Sequence, residues 1–210
     1  MSGMDWASII TAIGTIILGY FSYNQYTKNK LTDAKIKQIE DDAINEKLNQ
    51  TKQAARRKDN AVIVYGELWQ ALFSLGADRV YIIQPHPLGR EEMLSIRFEV
   101  KRREMVSMIP EVQGIKISEV ANFSSKMVRN LFMYITDIDK QIDDKYAKAI
   151  ISSLGCQQAI IKRLSDNSHD WVGSVICEFT KPMKVCEEDA RDIMHKAATN
   201  IQYIIPEIDF

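Results

Sequence analysis

The chain has 210 residues, 46% of them hydrophobic and 26% charged, and its 27 Lys and Arg against 28 Asp and Glu leave a formal net charge of −1. That is enough for one ordinary domain with an appendage and too little for two large ones. So even a balance excludes the basic stripe that displaces counterions from a phosphate backbone, and no nucleic-acid partner is expected.

From Trp6 to Thr27 there is no charged residue, and Ala7 to Phe21 is dominated by Ile, Leu, Ala and Gly. At ~1.5 Å rise per residue, about 20 such residues cross the ~30 Å hydrocarbon core of a bilayer. Trp6 stands at one end and Tyr20, Tyr23 and Tyr26 at the other, where amphipathic rings favour the interface, and Lys28 and Lys30 follow on the C-terminal side alone. No basic stretch precedes the apolar run and no small-residue cleavage pattern follows it, so the run reads as an uncleaved anchor over residues 1–27 rather than a leader peptide. The lysines then place the rest of the chain in the cytoplasm, as a single-pass protein of the inner (cytoplasmic) membrane. The odd number of cysteines, Cys156, Cys177 and Cys186, suits a reducing compartment.

Residues 28–58 are rich in Lys, Glu, Gln and Ala and lack Gly and Pro, which predicts a charged connecting helix. Ile36, Ile39 and Ala43 follow heptad spacing, but the next seam positions fall on Glu46, Gln50 and Gln53, so a coiled-coil homodimer is left open rather than specified. Asn60 to Leu75 continues as a helix with Val62, Tyr65, Leu68, Trp69, Leu72 and Phe73 as its apolar face, and Gly76 ends it. Arg79 to Gln84 reads as a strand, followed by a turn at Pro85–Gly89. Leu94 to Val100 alternates strictly, with Leu94, Ile96, Phe98 and Val100 on one face and Ser95, Arg97 and Glu99 on the other.

The middle, residues 101–155, carries weaker signals. Gln113 to Val120 reads as a short strand, Ala121 to Ile135 as a helix, and Asp139 to Leu154 as another helix stopped by Gly155. Met105, Met108, Met127 and Met133 cluster here, as core filling or as an adaptable pocket lining. Beyond it, Gln158 to Leu164, a polar turn at Ser165–Asp170 and Trp171 to Phe179 form a hairpin, with Trp171, Gly173, Val175, Cys177 and Phe179 expected on one face. Cys186 to Ala190 opens a last helix in which Ala190, Ile193, Met194, Ala197, Ala198 and Ile201 recur at helical spacing.

Chemistry is sparse. His86, His169 and His195 have no Cys or carboxylate at metal-ligand spacing. Asp137, Asp139, Asp143 and Asp144 lack the alternation and glycine of a calcium loop, and read as a solvated helix start. No phosphate-binding loop or nucleophile elbow occurs. No catalytic residue, metal ligand or cofactor is therefore expected, although a redox enzyme using Cys156 or Cys186 ranks as a distant third reading.

A helix, then Gly76-Ala77-Asp78-Arg79-Val80-Tyr81-Ile82-Ile83-Gln84, a second strand, an irregular middle, Asp170-Trp171-Val172-Gly173-Ser174-Val175 and a terminal helix together resemble a GAF domain, over about Lys58 to Ile205. The resemblance implies an α+β fold: a central antiparallel sheet, helices packed on one face, and a pocket under the irregular middle on the other. Phe98, Met108, Phe123 and Phe132 are its candidate lining residues. The cysteine motif of GAF-type methionine sulfoxide reductases, the Cys-His pair of bilin-binding members and the charged signature of cyclic-nucleotide-binding members are not visible. The expected division is an anchor at 1–27, the connecting helix at 28–58 and a GAF-like domain at 59–210. The implied function is a non-catalytic, membrane-anchored sensory or regulatory domain that binds a small ligand or a protein partner. The alternative is a structural or membrane-active protein, such as a phage-type holin or a membrane assembly factor, whose GAF-like part is a degenerate interaction module. A closed cavity with converging polar groups favours the first, and a solidly packed face with an exposed apolar patch elsewhere favours an interaction module.

Overall fold

The computed structural model describes residues 18–20, 22–23, 25, 35, 37, 44–45, 47–48, 59–86 and 92–205. The chain divides into two compact units, Met1–Ala55 and Arg56–Phe210. In the first, the described positions are helical. The anchor expected at 1–27 and the connecting helix at 28–58 otherwise fall outside the described residues. Among the described residues no helix is long and apolar enough to cross a membrane.

The first described element of the second unit is helix α1, described over residues 59–75. Val64, Leu68, Ala71, Leu72 and Leu75 return every three or four residues and are buried, so this stripe docks the helix on the sheet. The helix stops where Gly76 takes φ 68°, a left-handed conformation open to glycine, and the Ala77 amide reaches back to the Leu72 carbonyl at 3.0 Å. The face predicted from spacing was wider than the buried one: Leu68 and Leu72 point inward, whereas Val62, Tyr65, Trp69 and Phe73 face solvent.

Strands β1 (Arg79–His86), β2 (Met93–Lys101), β3 (Ile115–Lys116), β4 (Phe132–Ile135), β5 (Gln158–Ser165) and β6 (Trp171–Phe179) form one antiparallel sheet in the order β3-β2-β1-β6-β5-β4. One face is covered by α1 and by α5 (Glu187–Ile201), through Val64, Leu68, Leu72, Ala190, Met194 and Ile201 packed on Val80, Ile82, Val175 and Cys177. The other is covered by two short 3₁₀ turns, α2 (Ala121–Arg129), α3 (Ile138–Gln141) and α4 (Lys145–Ser153). This is the α+β layering that the resemblance implies.

Three expectations fail in the middle, each for a local reason. Ala121–Ile135 is not one helix. It ends at Arg129, and Phe132–Ile135, aromatic and β-branched enough to extend, pairs with β5 as an edge strand. The helix expected at Asp139–Leu154 is two, because the Asp144 carboxylate accepts hydrogen bonds from the Tyr146 and Ala147 amides and starts α4 afresh. The strand expected at Gln113–Val120 keeps only Ile115 and Lys116 in pairing, before a 3₁₀ turn at Ile117–Val120. The turn expected at Pro85–Gly89 does not begin at Pro85, since β1 runs on through His86, and its other residues lie outside the described ones.

Two irregularities decide which side chains reach which face. In β1–β2 the register passes from Ile82↔Phe98 to Ile83↔Ile96, so Arg97 is an extra residue. Leu94 and Ile96 therefore fall on the α2–α4 face, while Phe98 and Val100 fall on the α1–α5 face. In β6, Gly173 adopts φ 151°, and a Cβ there would lie 2.7 Å from the Ile83 carbonyl oxygen, so this position is restricted to glycine. Around it the alternation breaks: Trp171 packs with the α2–α4 layer and Val175, Cys177 and Phe179 with α1 and α5.

Candidate functional site

The face under the irregular middle is where the fold expectation puts a pocket, and its residues come from the sheet and from α2 and α4 above it. Tyr81 and Ile83 rise from β1, Leu94 from β2, Phe123 from α2 and Ile151 from α4, lining a partly open cavity of about 30 Å³. Tyr81 brings the only side-chain hydroxyl among the lining residues, and that hydroxyl is already committed, donating to Glu178 Oε1 at 2.7 Å. What remains is apolar and has room for little more than a water molecule.

The four residues expected to line one pocket do not come together. Met108 and Phe123 are buried in the α2–α4 layer, where they pack with Leu94, Val120 and Met127. Phe98 is on the far side of the sheet because of the Arg97 bulge, with the Tyr65 ring edge-on at 5.3 Å. Phe132 is also on that side, because β4 turns it toward α5, where the Arg191 guanidinium sits 4.5 Å from the ring centre. The pairing of β4 that carries Phe132 across has no counterpart in a helical reading of Ala121–Ile135.

At the end of this face lies a polar cluster that periodicity does not announce. Register sets Arg79 of β1 opposite Glu178 of β6, and both side chains are completely buried. Arg79 Nε donates to Glu178 Oε2 at 2.7 Å, and Nη2 lies 2.6 Å from the same oxygen. Nη1 donates to the main-chain carbonyl of Val106 at 3.1 Å, and Nη2 also to that of Leu154 at 3.3 Å. One buried cation thus ties the loop after β2 and the end of α4 to the sheet. Burial drives the Tyr81 phenol well above its usual range, with the neighbouring Glu178 carboxylate adding to the effect. Burial also pushes the Glu178 carboxyl upward, against the opposing pull of Arg79 and the Tyr81 hydrogen bond. The sequence signal for this cluster is thin: a charged residue at each of two strand ends, whose pairing depends on a register that one chain alone does not reveal.

Of the remaining candidates, Cys186 is exposed and caps α5, its sulfur accepting from the Asp189 amide at 3.5 Å, and the others are held by local contacts. Cys156 and Cys177 are buried, and burial foremost raises both thiols, away from the thiolate that nucleophilic attack requires. Cys156 donates to the Gln158 carbonyl at 3.2 Å, and Cys177 sits 3.4 Å from the Met194 sulfur. His86 is buried in β1 with Nε2 2.9 Å from the Ser95 hydroxyl, and burial lowers its pKa. An open polar cleft of about 450 Å³ lies beside Asp137, Ser152 and Gln157, but Asp137 is paired with Lys140 at 2.8 Å and caps α3. Asp143 pairs with Lys126 at 2.6 Å. Among the described residues, no group of three or more His, Cys, Asp or Glu is placed to hold a metal.

The sequence matches no protein-family model and no curated protein. Solved structures do match. The crystal structure of the cyanobacteriochrome receptor PixJ superposes with a TM-score of 0.57 at 13% identity, over 71% of this chain and 97% of that one. The PixJ GAF domain of Thermosynechococcus elongatus, in its blue-light absorbing form, gives 0.56 at 14% identity, over 70% and 85%. The phycocyanobilin-bound GAF domain of a cyanobacterial phytochrome gives 0.56 at 14% identity, over 73% and 88%. Identities this low carry the architecture and nothing finer. The chain has a GAF-like fold, with its α2–α4 face largely filled by its own side chains.

Proposed function

We propose that the protein is a membrane-anchored, non-catalytic GAF-like regulatory domain that acts through protein contacts. The observation that carries this reading is the filled α2–α4 face, with its cavity of about 30 Å³. Pockets for drug-sized molecules occupy roughly 300–1,000 Å³ and place a few polar groups around the ligand. A bilin, as held by the phytochrome relative, needs at least that much, and the side chains here do not fit one. The only lining hydroxyl, that of Tyr81, is turned into an internal hydrogen bond. A domain that keeps a sensory architecture but fills its ligand face retains its outer surfaces as the means of acting.

Anchoring rests on the uncharged run from Trp6 to Thr27 and the lysines that follow it. In this reading residues 1–27 hold the chain in the cytoplasmic membrane, 28–58 connect, and 59–210 form the working domain in the cytoplasm. The test is native mass spectrometry of the full-length chain released from detergent micelles, before and after denaturation. The expected result is polypeptide with no organic molecule liberated on unfolding. A stoichiometric small molecule released from the purified chain would return the domain to the ligand-sensing class.

A further inference from the structure

A cleft of about 320 Å³ opens where α1 and β6 end, and it shares no lining residue with the small cavity of the α2–α4 face. Leu75 of α1 and Phe179 of β6 are buried beneath it, and with the half-buried Met183 they form its apolar side. Arg102, Lys181 and Lys184 bring three cations to it, and Asp78 and Glu104 bring two carboxylates. The lining is therefore positive by one charge, in a chain whose net charge is −1.

We propose that this cleft holds an acidic peptide segment of a partner protein, taking one Asp or Glu carboxylate on Arg102, Lys181 and Lys184 and a neighbouring apolar side chain on Leu75, Phe179 and Met183. This proposal rests on the reading above that the domain works through protein contacts, and it names the chemistry of the partner. The first argument is preorganisation. Arg102 Nε donates to the Ala77 carbonyl at 2.9 Å and lies 3.5 Å from Asp78 Oδ1, while Nη1 and Nη2 hydrogen bond to nothing among the described residues. That leaves free the outer edge of a held, planar guanidinium, the group that meets a carboxylate through two parallel hydrogen bonds. The loop that carries the lysines is tied at three points. Asp78 Oδ2 accepts from the Thr180 amide at 2.8 Å and its hydroxyl at 2.7 Å, the Met183 amide donates to Gln158 Oε1 at 2.5 Å, and the Tyr134 hydroxyl donates to the Val185 carbonyl at 2.7 Å. A backbone fixed before the ligand arrives loses less entropy on binding.

The second argument is charge. Lys181 and Lys184 are exposed and pair with no carboxylate among the described residues, and Glu104 meets no cation there. Asp78 is already engaged by Thr180 and Arg102, so it does not compete for the lysines. A surplus of one positive charge, lowered further by the partial negative charge at the C-terminal end of α1, suits a single carboxylate better than a phosphate group of charge about −2. Glu104 repels a second negative charge and accepts a backbone N–H, which a peptide offers at every residue but proline. The third argument is size. A volume of about 320 Å³ is at the low end of the roughly 300–1,000 Å³ of ligand sites, so the cleft takes side chains of an extended segment and not a folded element.

The experiment screens the full-length chain in detergent against an array of short peptides with a central Glu or Asp among varied apolar residues, beside the same peptides with Gln or phosphoserine at the centre. Peptides of the carboxylate set are expected to bind, and their Gln counterparts are not. Fluorescence anisotropy with the strongest of them then measures the effect of each variant. Lys181→Glu together with Lys184→Glu should raise Kd by roughly tenfold or more, with the thermal midpoint unchanged, because neither side chain makes a hydrogen bond or ion pair in the fold. Arg102→Lys keeps the charge and loses the fork, and should raise Kd by about tenfold. Glu104→Gln should shift preference toward the phosphoserine set, a change that a merely structural Glu104 does not produce. The proposal is overturned if no peptide of the carboxylate set binds, if the wild type prefers the phosphoserine set, or if binding is indifferent to the lysine pair or to Arg102→Lys. Displacement of the peptide by soluble short-chain phosphatidylserine at a lower concentration than by unlabelled peptide would assign the cleft to a lipid headgroup and overturn it too. None of these outcomes releases a small molecule on denaturation, so the wider reading fails by a separate result.

Discussion

Arg79 and Glu178 are each surrounded by protein on every side, and neither charge has water to fall back on. The pair is sustained because each nitrogen of the guanidinium has an acceptor: two contacts go to Glu178 and one each to the Val106 and Leu154 carbonyls. Tyr81 completes the carboxylate by donating to its second oxygen. Removing one partner leaves the other buried and uncompensated, at a cost of about 3–5 kcal/mol, whereas replacing both by apolar groups of similar volume is often near neutral. Glu178→Leu should accordingly lower the unfolding free energy by about 3–5 kcal/mol, and Arg79→Met with Glu178→Leu should recover most of that loss. Urea unfolding of the three proteins measures both. A single variant that costs under ~1 kcal/mol would mean that water reaches the pair and that it behaves like a surface ion pair.

Among the elements, those with a clean period were readable from sequence and those set by pairing were not. Helices α1 and α5 and strands β1, β2, β5 and β6 announce themselves by spacing, and the Gly76 and Gly173 positions by their place at a helix end and within a strand. Strand β4 was hidden, since Phe132–Ile135 follows α2 after only two residues and its extension is fixed by β5, distant in sequence. The Arg97 bulge is equally silent: Leu94 to Val100 alternates perfectly as text, and only the Ile82/Ile83 register shift sends Phe98 to the opposite face. That one inserted residue, with β4, is why two of the four expected lining residues are not at the α2–α4 face. Phe123 is there, and it tests how firmly α2 is held. Phe123→Ala should cost about 3–5 kcal/mol and enlarge the cavity of about 30 Å³ into an apolar space. Such spaces stay dry and take up benzene. The thermal midpoint of Phe123→Ala should therefore rise on adding benzene while that of the wild type does not. No benzene-dependent shift would show that α2 collapses onto the sheet, so that the layer is a soft cover rather than a rigid one.

At the scale of the whole chain, the proposed attachment of the domain to a membrane could rest on either of two physical effects that respond differently to salt. The run from Trp6 to Thr27 offers about 20 uncharged residues, enough to span hydrocarbon, and hydrophobic insertion is indifferent to ionic strength. Arg56, Arg57 and Lys58 offer the other explanation, attraction to anionic headgroups, which is screened within about 10 Å at 0.1 M salt. Three charges near a surface supply roughly 1 kcal/mol each, so that mode gives only weak and salt-labile binding. If the apolar run is the anchor, the full-length chain should sediment with membranes, stay there through a wash at 1 M salt, where the screening length is ~3 Å, and leave only with detergent. A chain beginning at Lys28 keeps all three basic residues and should remain in the supernatant. Membrane fractionation with antibody detection of both proteins decides it. Release of the full-length chain by salt alone, or retention of the shortened chain on the membrane, would assign attachment to the basic residues and remove the anchor from the proposed function.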